Sequence, residues 1–231
     1  MTKTHLKQRH CLALTVLFWT ATCLAARVNS QTGGATQTTA AKISAQSKIQ
    51  QRYGGFYFEP GFALETGRTS SSYPMTNSAG SSDGFGVLVR AGYELRHFII
   101  AALDWRMALT QFHDAALDYT ANATSANWAV LGGLQIPNTA VRGWIEYIFA
   151  GTLNPSAAGS GLDLRYGGAT GYRIGLGYKF ATDTSANIEY QLLRYNQTRV
   201  EQSGPYTGVN FNGSTLGDAS LIAGVSFPLE F

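Results

Sequence analysis

The feature that most constrains this chain is a period-two alternation, repeated eight times between residues 53 and 231. In residues 53–66, Phe56, Phe58, Phe62 and Leu64 share one face, and Tyr57, Glu59, Gly61 and Glu65 the other. Residues 84–95, 98–112, 126–136, 141–153, 164–180, 186–200 and 218–231 repeat the pattern. A side-chain period of two is that of a strand with one apolar and one polar face. The apolar face takes in Leu153 in the fifth segment, and Tyr166 with Tyr172 and Ile174 in the sixth. In the seventh, alternation blurs at Leu193-Arg194-Tyr195, which predicts a bulge or a strand leaving the membrane. Pro60 removes a ladder donor from the first segment, and a bulge is predicted there too.

The connections carry separate information. Residues 67–83, 113–125, 154–163 and 201–217 are long and rich in Gly, Ser, Asn and Thr, whereas 96–97, 137–140 and 181–185 are short. Long and short loops therefore alternate strictly. That parity is the plan of an outer-membrane barrel, with long loops outside and short turns in the periplasm. No later apolar run approaches the roughly 18 residues of a transmembrane helix. The reading is all-β: an eight-stranded antiparallel up-and-down transmembrane β-barrel.

Alternation alone does not say which face is inside, and a soluble lipocalin-like barrel is the rival. Residues 53–231 contain one lysine, Lys179, beside nine arginines, whereas a water-facing wall displays lysine. Arginine's fixed fork suits confined ion pairs. The polar face is also the glycine-rich one (Gly167, Gly171, Gly175, Gly177), as a narrow lumen requires. Aromatic residues gather near the segment ends, where amphipathic rings favour a membrane interface. Only 13% of residues are charged, about half the soluble average. These features put the apolar face outward, in lipid.

The start of the chain has another character. Lys3, Lys7 and Arg9 precede an apolar run, Cys11 to Trp19, and then small residues up to Ala26. This order predicts a signal peptide over residues 1–26. A lipoprotein cut before Cys23 is the alternative, and Thr22 is a poor residue at the position before a lipidated cysteine. The ordinary cut removes both cysteines, and with them any disulfide or thiolate metal site. It also removes the whole net charge of +3, leaving 14 basic against 14 acidic residues and no basic surface for nucleic acid. Residues 27–52, rich in Thr, Gln, Ala and Ser, predict a flexible periplasmic tail.

The chain ends on Phe231, with Leu229, Phe227, Val225, Ala223 and Leu221 at alternating positions before it. This resembles the C-terminal signal of Gram-negative outer-membrane proteins, whose terminal strand is read by the barrel-assembly machinery. With eight strands, residues 53–231 resemble the small barrels of the OmpA transmembrane-domain and OmpX-like kind. The resemblance is architectural and has no diagnostic internal motif. It implies Phe227, Leu229 and Phe231 as the assembly signal, residence in the bacterial outer membrane, and lipid and lipopolysaccharide as surroundings.

Chemical motifs are scarce. His113, Asp114 and Ser70–Ser72 are of the residue types that lipid A-modifying enzymes of the outer membrane use, a His with a Ser and a carboxylate, and their spacing does not compel such a site. Neither a catalytic residue nor a metal or cofactor site is predicted. The inward face collects Glu59, Arg90, Asp104, Arg106, Glu146, Arg173, Glu189 and Gln191, a near-balanced set expected to form one ion-pair network. Mixed charge suggests a plug, so the expected role is structural or surface-interacting. A narrow or gated porin-like channel is the alternative. Tyr73, Tyr119, Tyr206 and Phe211 lie in the long loops and are expected to offer a surface to an extracellular partner.

Overall fold

The computed structural model describes residues 55–230 except 75, 96, 97, 138, 157–160 and 182. The leader, the tail, His97 and Phe231 lie outside the described residues. Eight long antiparallel strands follow in chain order: β1 (Gly55–Ser72), β2 (Asn77–Leu95), β3 (Ile99–Asp114), β4 (Tyr119–Gln135), β5 (Val141–Ser156), β6 (Leu162–Ala181), β7 (Thr184–Gln202) and β8 (Thr215–Ser226). Each pairs with its sequence neighbour, and β8 pairs with β1, so the sheet closes on itself. Closure pairs every strand on both sides at the height of the apolar belt, the condition for crossing lipid as strands. A two-residue strand, β9 (Leu229–Glu230), continues β8 along β1 in unchanged register, with Phe58 opposite Leu229 and Gly61 opposite Ser226.

The strands run well past the apolar segments that foretold them. Residues 67–83, expected as a loop, are mostly ladder: β1 and β2 stay paired from Gly55–Glu94 to Ser72–Asn77. The polar hairpins are therefore tall extensions of the wall. Serine and threonine support them, because their side chains suit a pleated surface as well as a turn. The ends Ser72, Asn77, Asp114, Tyr119, Ser156, Leu162, Gln202 and Thr215 of the strands lie at one end of the barrel, and Leu95, Ile99, Gln135, Val141, Ala181 and Thr184 at the other. The short-turn end is the periplasmic one.

The predicted bulge at Pro60 is absent. Pro60 stands opposite Val89 in unbroken register and faces the interruption between β8 and β9, where its carbonyl accepts from Phe227 N at 2.8 Å. Its missing N–H thus falls where the seam with β8 lapses around Pro228. The irregularities lie elsewhere. Phe149 is an extra residue in β5, since Trp128 faces Ala150 while Ala129 faces Ile148. The bulge flips the parity of β5, so Leu153 points into the barrel, not outward as alternation predicted. In β6, Gly167-Gly168 does the same, with Gly168 in the left-handed region (φ 63°), and Tyr166 is buried. In β7, Leu193 and Tyr195 continue the inward face without a slip, and alternation breaks only at Asn196-Gln197. The blur read at Leu193–Tyr195 was a change in what the lumen contains.

Outside, a belt of large apolar side chains surrounds the barrel. It includes Phe62, Phe85, Leu103, Val130, Ile145, Ile174, Leu176, Ile188, Leu192 and Leu221, all exposed. No helix among the described residues is long and apolar enough to cross a membrane; strands provide the crossing.

Candidate functional site: the filled lumen

The inward face divides into three layers. Lowest is a small apolar group, Tyr57, Ile100, Leu131 and Trp144. The Trp144 indole is a floor for the charges above: the guanidinium carbon of Arg90 lies 4.5 Å from the ring centroid and that of Arg142 5.3 Å. Gly175 makes this possible, since a Cβ there would run into the indole ring. A glycine on the inward face of β6 is thus the space into which a tryptophan from β5 fits.

The middle layer is ionic, and Arg90 is its hub. Its guanidinium reaches all four carboxylates of the layer: Asp104 at 2.7 Å, Glu189 at 2.6 Å, Glu146 at 3.2 Å and Glu59 at 3.4 Å. Arg106 bonds Asp104 at 3.1 Å and lies 2.5 Å from Glu189. Arg173 pairs with Glu146 and donates to Asn127 at 3.0 Å and Gln191 at 2.5 Å. Gln191 in turn donates to Glu65 at 3.2 Å and Asp218 at 3.3 Å, linking a further carboxylate pair above the layer. Glu59, Arg90, Asp104, Arg106, Glu146, Arg173, Glu189 and Gln191 all sit in the interior, brought together from β1, β2, β3, β5, β6 and β7.

Sequence reasoning missed one member. Arg142, on β5, pairs with both Glu59 oxygens and also donates to Asn187 at 3.1 Å and Ser226 at 3.2 Å. It makes the layer four arginines against four carboxylates. The signal was available: position 142 shares the inward face of β5 with Glu146, four residues on. Its long stem lets a residue near the periplasmic mouth raise its charge to mid-height.

The upper layer is apolar: Phe112, Tyr119, Leu153, Leu164, Tyr166, Leu193, Tyr195 and Leu216 are buried, with Tyr73 and Phe211 folded in from the hairpins. The expectation that Tyr73, Tyr119 and Phe211 form a sticky outer surface is thereby corrected; they are 8%, 2% and 5% exposed. Burial of a large ring outweighs the polarity of the surrounding loop sequence. Tyr73 Oη donates to Asp114 at 2.7 Å and lies 3.2 Å from Tyr166 Oη. Asp114 also accepts from Ser78 at 2.5 Å and from the amides of Ala116 and Leu117, which fixes the 115–118 turn.

Asp114 therefore points inward. Its neighbour His113 faces the other side of β3, with Nδ1 3.0 Å from Thr120 Oγ1. Ser70 and Ser72 face outward and Ser71 inward. Ser71 and Asp114 meet at the Tyr73 hydroxyl, while His113 is turned away from them to Thr120. At the seam, Leu229 is exposed on the belt and Phe227 is half-buried.

The lumen holds small cavities. One, of about 30 Å³, lies at the periplasmic mouth among Tyr57, Glu94, Arg142 and Lys179. Another, of about 10 Å³, lies above the ionic layer among Glu65, Asn127, Gln191 and Asp218. A single water needs on the order of 10–15 Å³, so neither is a conduit.

A closed eight-stranded barrel with an apolar belt and a filled lumen crossed by a charge-balanced ionic layer is an integral β-barrel of the bacterial outer membrane. Solved structures of such proteins are similar to it in fold. Neisserial surface protein A is 15% identical over 75% of this chain and 96% of its own, with a TM-score of 0.44. OprG from Pseudomonas aeruginosa is 12% identical, covering 78% of this chain and 98% of its own, with a TM-score of 0.46. Ail of Yersinia pestis, solved with the heparin analogue sucrose octasulfate, is 10% identical, covering 74% and 99%, with a TM-score of 0.42. No protein-family model and no curated protein matches the sequence.

Proposed function

We propose that this protein is a structural or surface-interacting outer-membrane barrel with a shut lumen. One observation carries the reading: the interior is blocked in series by an apolar floor, an ionic layer in which Arg90 meets four carboxylates, and an aromatic cap. A conducting pore would need all three to part. A selective pore would also favour lumen charge of one sign, and this layer is neutral. Function then lies on the outside, on the tall hairpins. Residues 1–26 act as the export signal, 27–52 as a periplasmic tail, and Phe227, Leu229 and Phe231 as the assembly signal. Planar-bilayer recording of the refolded protein is the test. A quiet bilayer is expected; stable unitary openings in the unmodified protein would overturn the reading.

A further inference from the structure

We infer that the outer rim of β7, β8 and β1 binds the phosphate of an outer-leaflet glycolipid between Arg68 and Arg194. The wall above the belt is electrically lopsided. No lysine or arginine occurs in residues 77–83, 109–126 or 150–156, which supply that height on β2 to β5. The opposite side carries Arg68, Arg165, Arg194 and Arg199, all exposed and outward-facing. Arg165 has a counter-ion, Asp163 at 3.0 Å. Arg68, Arg194 and Arg199 have no hydrogen-bond or ion-pair partner among the described residues.

Register places two of these around one spot. Ala219 on β8 lies opposite Arg68 on β1, and Gly217 lies opposite Arg194 on β7. β1 and β7 therefore flank β8, about 10 Å apart, and the surface between them is built from the two small residues Gly217 and Ala219. An anion resting there is within reach of both long side chains, and arginine holds phosphate through paired N–H groups. On β8 the outward face carries no acid at this height, because Asp218 points inward and is buried.

The height selects a lipid. Leu192 lies two residues below Arg194, Leu221 two below Ala219 and Leu64 four below Arg68, and all three are exposed on the belt. An amphiphile with acyl chains on Leu64, Leu192 and Leu221 would bring its phosphate to the arginines. Arg199 is five residues further along β7, about 16 Å higher, beyond a phosphate held at that plane.

The test uses the full barrel in detergent micelles doped with bis-phosphorylated lipid A, with bound lipid read by native mass spectrometry. Arg68→Gln/Arg194→Gln should lose about tenfold in lipid occupancy, the worth of one or two charge-assisted bonds. Arg199→Gln should retain it, and lipid A stripped of phosphate should bind both forms equally weakly. A heat-modifiable gel shift confirms that each variant is folded. Undiminished occupancy in the double variant, or binding of phosphate-free lipid A to the parent as strong as that of the bis-phosphorylated lipid, would overturn the inference and leave solvated rim arginines. Competition by sodium pyrophosphate, with Arg199→Gln losing as much as the double variant, would also overturn it, in favour of a soluble polyanion.

Discussion

The middle and the upper lumen plug the same barrel by opposite means. In the middle, four buried arginines and four buried carboxylates pair with one another. Above, rings and branched side chains fill the volume, and polar contacts are few, gathered around Asp114 and at the Tyr119 hydroxyl, which donates to the carbonyls of Pro155 and Leu162. The ionic layer has little tolerance: each member exists for its partners, and removing one leaves an uncompensated charge. The cap is tolerant in chemistry but not in volume, since its stability comes from occupied space. The two layers should therefore fail differently.

The largest effect should come from the hub. Arg90→Ala takes a partner from four carboxylates and leaves three arginines against four, so one buried negative charge is uncompensated; it should cost about 3–5 kcal/mol, the range for breaking a buried ion pair. Urea unfolding in detergent, followed by the heat-modifiable shift, measures it. Arg90→Lys should recover little, because one ammonium cannot span four carboxylates as a planar fork does. A loss below about 1 kcal/mol, the scale of an exposed pair, would mean that the layer is not the coupled unit described here.

In the cap, Phe112→Ala should cost about 3 kcal/mol through the cavity it leaves. Phe112→Leu should cost about 1 kcal/mol, because apolar exchange near constant volume is tolerated. That contrast with Arg90→Lys is the sharpest test of the comparison. If Phe112→Leu and Arg90→Lys are equally damaging by the same assay, the distinction between the layers disappears.

The boundary between floor and ionic layer gives a smaller effect. Gly175→Ala puts a methyl into the Trp144 ring and should cost about 1–3 kcal/mol as overpacking. Trp144→Leu should relieve most of it, so the double variant should be more stable than the sum of the singles implies. Additive losses would show that the glycine serves some other purpose.

The same contrast explains what the sequence could and could not reveal. The eight strands, their parity and the inward carboxylates were legible because period two assigns a face to every residue. That assignment fails wherever an extra residue enters. Phe149 turns Leu153 inward, and Gly168 does so for Tyr166, and neither bulge leaves a mark in composition. Both corrections feed the cap, so the cap was the illegible part. Tyr73 and Phe211 were hidden for another reason: they lie in polar hairpins whose burial depends on how tall the strands stand. Arg142 was on the right face, but its reach up the lumen is set by side-chain length and not by position.

The smallest expected effect lies at the top of the cap, in Tyr73→Phe. The substitution keeps the ring, which packs edge-on against Phe211 with centroids 5.6 Å apart. It removes the bond from Tyr73 Oη to Asp114, while Asp114 keeps Ser78 and the amides of Ala116 and Leu117. Losing one bond among several acceptor contacts should cost about 1 kcal/mol or less. Burial pushes the Tyr73 phenol well above its usual range. A raised phenol contributes fully below its unfolded value of about 10 and loses that contribution only at higher pH. The variant should therefore differ from the parent by the same amount throughout neutral and mildly alkaline conditions. Faster amide exchange should be confined to the 115–118 turn, with a quiet bilayer as before. Channel openings in Tyr73→Phe would show instead that one hydroxyl, and not the packed rings beneath it, seals the outer mouth.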